Sequence, residues 1–255
     1  MNKKTNQPPQ CQITNSTAMI DLNTLTDNRV KTIPLTAVID TALCVGAGGS
    51  DGSLADKPIV RNAKGQLLIP ASQLKGRLRH ECEKLARGLG WQIFESPAAE
   101  TLCPREDQVL EQFRSLYQVD GYRGYHCFIS KIFGDPILPS RIVVDDLICN
   151  LERENLPEVL RPGVTINRSR RTAEAQKLFF LETSPANAQL EFKGEIHLLP
   201  GCPTYAKAII LAGLRHIHAL GGSKSAGLGW LIWKELEKLS QEDSAWQELL
   251  PEAKS

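Results

Sequence analysis

Residues 56–80 read DKPIVRNAKGQLLIPASQLKGRLRH, and this stretch decides how the first half of the chain folds. An apolar segment ends in a proline, and the apolar positions that follow recur with the period of a helix from about Ser72 to Leu89. Gly88 and Gly90 supply the signal that ends this helix. The stretch therefore predicts a strand end followed by a long helix with one buried face.

The first two turns of the predicted helix carry a hydroxyl and three cations, which are Ser72, Lys75, Arg77 and Arg79. Unpaired backbone N–H groups and the positive end of the helix dipole favour an anion at a helix start. A lone carboxylate, Asp56, lies a loop away. This combination predicts a site for the phosphates of RNA with an acid beside it. The alternative is a solvated basic helix face, which is common for these residue types.

The segments on either side extend a mixed pattern of strands and helices. Residues 29–45 and 190–199 have the alternation of strands, and residues 141–147 read as a further strand. Residues 204–220 form a strongly apolar helix, and residues 228–233 form a closing strand. The resulting order, β-α-β-β-α-β, predicts an α+β fold of the ferredoxin-like (RRM-like) type with insertions.

The predicted division of the chain is a flexible N-terminal arm over residues 1–28, one domain over 29–238 and a C-terminal tail over 239–255. Insertions are expected within the domain at about 91–130 and 150–188.

Composition narrows the class of protein. The 255 residues carry a formal net charge of only +1, so any nucleic-acid surface must be local. No stretch approaches the roughly 20 apolar residues that a membrane-spanning helix needs, and the N-terminus has no apolar core of a signal peptide. Seven cysteines without a secretion signal indicate reduced thiols and a cytoplasmic protein that contacts no membrane.

Two further segments offer groups that bind phosphate. Arg168, Arg170 and Arg171 form a dense cationic run on a predicted hairpin over residues 163–182, where a solvated turn is the alternative. The second segment is the loop of Gly221, Gly222, Ser223, Lys224 and Ser225. Its glycines allow close backbone approach to an anion, although its spacing does not fit a nucleotide P-loop and a plain helix-to-strand loop is the alternative. Phe179, on the hairpin, is expected in the core.

The sequence resembles the RAMP proteins of CRISPR systems, in particular the backbone subunit of type III effector complexes of the Csm and Cmr types and their type III-D relatives. The resemblance is carried, in family order, by residues 43–48 (LCVGAG), 56–60 with 69–79, 132–135 with 139–146, 166–182, and 220–229 (LGGSKSAGLG). Together these five blocks span most of residues 40–233.

The resemblance implies a ferredoxin-like palm that binds guide crRNA and target RNA, beside the large signature subunit and other RAMP subunits. The helix start would grip guide phosphates without reading sequence, and the hairpin would be part of a thumb that wedges into the guide–target duplex. Asp56 lies where catalytic relatives carry their acid, with Asp51 as a weaker second choice. A carboxylate there could accept the proton of a ribose 2′-OH or hold a divalent metal such as Mg²⁺. Cys44 stands where relatives often place a histidine.

Some relatives hold a structural zinc ion in the insertion, with a final cysteine pair just before the Phe-Gly of the third block. Here Ser130 replaces the second cysteine of that pair. Four N/S ligands remain for Zn²⁺, namely His80, Cys103, His126 and Cys127.

The leading interpretation is an endoribonuclease subunit that cleaves target RNA at Asp56 in antiviral defence. Two others stay open at this point. One is a structural crRNA-binding subunit of the same complex whose Asp56 loop does no chemistry. The other is a stand-alone crRNA-processing endoribonuclease, which in this superfamily usually relies on an early histidine, and His80 is the candidate for it.

Overall fold

The computed structural model describes residues 30–46, 55–56, 58–96, 98–151, 156–157, 159–234 and 236. The predicted arm, the predicted tail and residues 47–54, which include Asp51, lie outside these residues.

The described elements, in chain order, are β1 (Lys31–Ile39), β2 (Leu68–Ile69), α1 (Ala71–Gly88), α2 (Ala99–Leu102), a 3₁₀ turn (Glu106–Gln108), α3 (Glu111–Arg114), α4 (Ser130–Phe133), β3 (Ile142–Val144), β4 (Leu147–Cys149), β5 (Val159–Asn167), β6 (Thr172–Thr183), β7 (Leu190–Leu198), α5 (Ala206–Arg215), a 3₁₀ turn (Lys224–Ala226) and β8 (Leu231–Lys234). None of the helices in the described ranges has the length and apolarity needed to cross a bilayer.

The sheet has the strand arrangement of a ferredoxin-like fold. Strand β1 lies between β7 and β8, β4 pairs with the other side of β7, and β2 extends the sheet beyond β4. All of these pairs are antiparallel. The α+β, ferredoxin-like prediction is therefore confirmed. Strands β5 and β6 form a separate two-stranded hairpin, which agrees with the predicted hairpin but begins earlier in the chain.

The long helices α1 and α5 pack against each other over the buried face of the sheet. Their backbones approach closely at Gly213, because a β-carbon there would lie 2.7 Å from the sulfur of Cys82. The Cys82 thiol is fully buried and donates to the carbonyl of Ile209 at 3.4 Å. This packing fixes where α1 begins, and hence where its cations lie.

The prediction of one strand over residues 141–147 is wrong in one respect, because two short strands, β3 and β4, lie there. Val144 pairs with Ile196 and Ile148 pairs with Lys193, so the β3–β4 side holds one residue more than β7. The extra residue forms a bulge at the aspartate pair. Its second member, Asp146, turns toward α1.

The helix predicted over residues 204–220 is shorter than expected. It ends at Arg215, and the chain then turns so that Ala219 pairs with Trp230 beside β8. The next residues form the second glycine loop.

Candidate nucleic-acid interface

Asp56 lies at the root of the β5–β6 hairpin. Its backbone N–H donates to the carbonyl of Phe180 at 3.0 Å, and its Oδ2 accepts the N–H of Phe180 at 2.7 Å. Phe180 faces Pro162 of β5. In the antiparallel ladder this is a non-hydrogen-bonded position, where a proline without an amide hydrogen is tolerated, and both backbone polar groups of Phe180 are directed to Asp56.

The same strand holds the chain on both sides of residues 47–54. Glu182 Oε2 accepts the N–H of Ile59 at 3.0 Å. Ser184 exchanges backbone and side-chain bonds with Leu43, at 2.9 Å and 2.8 Å. Phe180, Glu182 and Ser184 alternate along an extended chain and so present one face to this region.

Reasoning from the sequence did not single out Phe180, Glu182 or Ser184 for this role. Pro162 faces Phe180 in the ladder, but it lies outside the predicted hairpin of residues 163–182 and so indicated nothing about the backbone groups of Phe180. The partners of those groups lie more than 100 residues away, at Asp56, so no local pattern identifies them.

The hairpin tip carries the three predicted arginines. Arg168, Arg170 and Arg171 are exposed, and none of them forms an ion pair with any residue that the structure describes. The turn is held by Asn167, whose Oδ1 accepts the N–H groups of Ser169 and Arg170, both at 3.1 Å. The tip therefore presents uncompensated positive charge on a shaped turn.

The two strands of the hairpin also expose apolar side chains. The exposed ones are Leu160, Val164, Ile166, Leu178 and Phe179. The prediction that Phe179 lies in the core is wrong, since its side chain is 38% exposed. Its ring covers Gly163 on the paired strand, where a β-carbon would overlap it. A two-stranded ribbon buries little by itself, so the hairpin offers both cations and flat apolar surface to a partner.

The cations at the start of α1 are less available to an RNA phosphate than predicted, because they already have partners within the protein. Lys75 Nζ donates to Ser140 Oγ at 2.8 Å and to the carbonyl of Ile142 at 3.3 Å. Burial, reinforced by the nearby charge of Arg79, lowers the pKa of Lys75. Lys75 thus ties α1 to the start of β3.

The two arginines of this helix are paired with acids one turn later. Arg77 contacts Glu81 at 2.8 Å, and Arg79 contacts Glu83 at 2.9 Å while donating to the carbonyl of Gly134 at 2.9 Å. Arg77 Nε and Arg79 Nη2 are buried without a hydrogen-bond partner among the described residues, and because both atoms are buried they are not open to a ligand.

A carboxylate also occupies the N-terminus of α1. The N–H of Ala71 donates to Asp146 Oδ1 at 2.7 Å. The acid from the bulge thus sits where a phosphate was predicted to bind. Ser72, the next residue, is exposed.

The second glycine loop is held in shape by hydrogen bonds and close contacts within the chain. Gly222 donates its N–H to the carbonyl of Cys44 at 2.6 Å, and a β-carbon on Gly221 would lie 2.6 Å from that same oxygen. Lys224 Nζ donates back to the carbonyl of Gly221 at 3.2 Å. Ser223, Lys224 and Ser225 are exposed, so the hydroxyls of this loop face solvent while its glycines serve packing.

The structure does not bring the four predicted zinc ligands together. His126 Nδ1 pairs with Asp135 at 2.6 Å, and Cys127 Sγ bonds with Ser130 Oγ at 3.3 Å. His80 is exposed on α1, and Cys103 is not clustered with the others. These residues therefore do not form a tetrahedral site in this arrangement, because their ligand atoms are not clustered within 4.8 Å of one another, although His126 Nε2 is buried without a partner among the described residues.

A different set of ligand-type groups lies together on the open face of the sheet. Asp145, Glu195 and His197 are the one group in the described part of the chain whose ligand atoms all lie within 4.8 Å of one another. His197 Nε2 contacts Asp145 Oδ2 at 3.1 Å, and His197 Nδ1 contacts Thr32 Oγ1 at 3.2 Å. All three side chains are partly exposed, and the group is accounted for as a surface ion-pair network.

The chain is thus an α+β protein with a ferredoxin-like sheet and a long cationic hairpin inserted before β7. The model of the RAMP superfamily matches residues 36–232, which cover the hairpin and most of the sheet. The chain belongs to the RAMP superfamily, and this membership indicates a CRISPR-associated, RNA-binding role. No curated protein matches the chain.

Proposed function

We propose that this protein is a backbone subunit of a type III CRISPR ribonucleoprotein, which binds guide crRNA and cleaves complementary target RNA at Asp56. One observation carries the proposal: a loop carboxylate is anchored at the root of an exposed hairpin with an uncompensated cationic tip. The other subunits of such a complex, a large signature subunit and further RAMP subunits, are its proposed protein partners.

The hairpin provides the main RNA contacts. Its three tip arginines bind phosphates through bidentate hydrogen bonds, and its exposed apolar side chains lie against unstacked bases. Neither kind of contact depends on base identity, which suits a protein that must accept any guide. Ser72, which is exposed, and the exposed part of the Arg77 side chain add a second phosphate contact at the start of α1.

Asp56 supplies the chemistry in this proposal. Its Oδ2 is held by Phe180, whereas Oδ1 receives no hydrogen bond from the described residues. Oδ1 accepts the proton of a ribose 2′-OH as that oxygen bonds to the adjacent phosphorus and the 5′-oxygen of the next nucleotide leaves. The products are a 2′,3′-cyclic phosphate and a 5′-hydroxyl, the leaving oxygen taking a proton from water.

Asp56 also fits a divalent cation of the Mg²⁺ type, because that ion is commonly bound by one or two carboxylates together with substrate phosphates and water. Such an ion would offset the charge that develops on the phosphate oxygens. The described residues form no all-protein cage around Asp56, so RNA would complete the site.

Two substitutions of Asp56 test this function in the assembled complex with guide RNA bound. Asp56→Ala removes the base and the contact with Phe180, whereas Asp56→Asn keeps an oxygen for that contact and removes the charge. Single-turnover cleavage of target RNA should fall by about 10²–10⁴-fold in both variants, with guide content unchanged. Cleavage by Asp56→Asn at the wild-type rate would remove Asp56 from the chemistry.

A second function is favoured by the same hydrogen bond. An aspartate whose carboxylate caps a backbone N–H is an ordinary structural residue of a loop. In that case the protein is a non-catalytic crRNA-binding subunit, and the wild-type complex binds target RNA without cutting it.

A further inference from the structure

We propose that Glu182 is a positioning residue that fixes the Asp56 carboxylate against the root of the hairpin, which rests on the proposed catalytic role of Asp56. Glu182 does not touch Asp56. It acts through the short segment that carries Asp56, by holding the other end of that segment.

Glu182 is buried, with 6% of its surface exposed, and both of its oxygens have partners. Oε2 accepts the N–H of Ile59 at 3.0 Å, and Oε1 lies 3.6 Å from Nη2 of Arg61. Arg61 in turn donates from Nη1 to the carbonyl of Gly65 at 3.1 Å. One carboxylate therefore links the hairpin strand to the segment after Asp56 and to the turn beyond it.

The segment is held at two points by one strand. Phe180 binds Asp56 through its backbone, and Glu182, two residues along β6, binds Ile59 through its side chain. With only the first point in place, the segment could pivot about Phe180. With both, the direction of the Asp56 side chain is set relative to β6.

This arrangement couples the carboxylate to the hairpin. The paired part of β6 from Leu178 to Thr183 carries both Phe180 and Glu182, and a bulge separates it from Ala173 near the cationic tip. The root of the hairpin and the place where Asp56 presents Oδ1 are therefore set by the same paired part of this strand. A misplacement of about 1 Å at a reacting group can cost about 100-fold in rate, so a loss of this second point should be visible in catalysis.

Three substitutions of Glu182 distinguish the contribution of side-chain length from that of side-chain charge. Glu182→Gln keeps an oxygen for the N–H of Ile59 and loses the charge beside Arg61. Glu182→Asp keeps the charge but is one methylene too short, and Glu182→Ala loses both. In the assembled complex we expect single-turnover cleavage to fall about tenfold or more for Asp and Ala, with target affinity and guide content unchanged. Glu182→Gln should stay within about threefold of wild type.

Glu106→Gln is the matched control, because Glu106 also faces an arginine, Arg114 at 3.7 Å, but is 69% exposed. It should leave the cleavage rate unchanged. Hydrogen exchange of the peptide covering residues 56–61 gives a readout that does not depend on cleavage. Exchange there should be faster in Glu182→Asp and Glu182→Ala than in wild type, and unchanged in Glu182→Gln.

The outcomes distinguish this inference from the proposed function. If Asp56→Ala abolishes cleavage while Glu182→Asp and Glu182→Ala cut at the wild-type rate, the positioning role is overturned and the catalytic role of Asp56 stands. If Asp56→Ala cuts normally, the catalytic role fails, and with it the positioning of a catalyst. Unchanged exchange over residues 56–61 in Glu182→Ala overturns the inference whatever the cleavage rate.

Discussion

Asp146 shows how one side chain alters what a helix start can do. It accepts the N–H of Ala71 at 2.7 Å and so fills, with the protein's own carboxylate, part of the anion site that the sequence predicts. The favourable interaction of a negative charge with the helix dipole is thereby already used for folding. A phosphate at this helix must bind beside Asp146, at Ser72 and the exposed part of Arg77, rather than in its place.

A second aspartate stabilises the turn that receives Arg79. Asp135 Oδ1 accepts the N–H groups of Ile137 and Leu138 at 2.9 Å and 2.7 Å, and Oδ2 contacts His126 Nδ1 at 2.6 Å. Burial alone would raise the pKa of Asp135, but the hydrogen bond with His126 and the two amides outweigh it and hold that pKa below its usual value of 3.8. The ionised carboxylate is therefore the form that stabilises the fold.

Asp135→Asn tests this assignment. Because the folded-state pKa is depressed, the stabilisation is present above the unfolded value of 3.8 and is lost as pH falls through the folded pKa. We expect the variant to be less stable than wild type by about 1.5–3 kcal/mol at pH 7, with the gap narrowing at strongly acidic pH. Urea unfolding of the purified chain across pH measures it, with Asp120→Asn on an exposed turn as the control. A gap that does not change with pH would contradict the assignment.

At the scale of elements, the hairpin is the part of the described fold that exposes cations and apolar side chains which the rest of the described fold does not cover. Its tip arginines lack acidic partners among the described residues, while Arg77 and Arg79 of α1 have them. The sheet beneath it is paired and covered by two helices on one face. We therefore assign the larger share of RNA affinity to the hairpin and the smaller share to α1.

A triple variant of the hairpin tip tests this division. Arg168→Ala with Arg170→Ala and Arg171→Ala should weaken RNA binding across unrelated sequences. It should also flatten the dependence of log K on log salt by up to about two, since each lost phosphate contact removes about 0.7 from the slope for single strands.

The matched control removes three arginines from the insertion that precedes β3. Arg105→Ala, Arg114→Ala and Arg123→Ala together change net charge equally, and we expect affinity and salt slope near the wild-type values. Equal losses in the two triple variants, read by filter binding over a salt series, would show that only overall charge matters.

The elements that local pattern specifies could be predicted from the sequence. Helix α1 and strand β7 were placed within a residue or so, because a 3.6-residue or two-residue apolar period spans each of them. The interruption between β3 and β4 could not be predicted from the sequence, since the bulge is stabilised by a hydrogen bond between Asp146 and a helix 75 residues earlier. That Phe179 lies on the hairpin could be predicted. Its exposure could not, because it depends on Gly163 in the opposite strand.

The candidate site was predicted in parts and not as a whole. Asp56 and the tip arginines were named from the sequence pattern, whereas their roles in catalysis and in a thumb came from the family resemblance and stay predictions. The pairing of Arg77 with Glu81 and of Arg79 with Glu83 was readable from their i,i+4 spacing. The anchoring of Asp56 by Phe180 required the fold, because it joins segments 124 residues apart.

At the scale of the whole molecule, two surfaces are candidates for binding RNA: the open face of the sheet, and the hairpin with its root. RRM-like folds stack bases on aromatic rings of the open sheet face. Here that face carries Glu191, Glu195 and His197, with Val143, Trp230 and Ile232 as large exposed apolar side chains. Acids and their paired cations make it a poor phosphate surface, and its exposed ring, Trp230, lies at the edge of the sheet beside β8, away from the central strands β1 and β7. The hairpin and its root are therefore the better candidate.

Photocrosslinking in the assembled complex tests this choice of surface most directly. A single 4-thiouridine is stepped through the target strand of the guide–target duplex, and the adducted peptides are identified by mass spectrometry. We predict adducts in the strand that runs from the hairpin tip to Glu182 and in the segment that begins at Asp56. Adducts confined to the open sheet face, at Val143 and Ile232, would contradict the account.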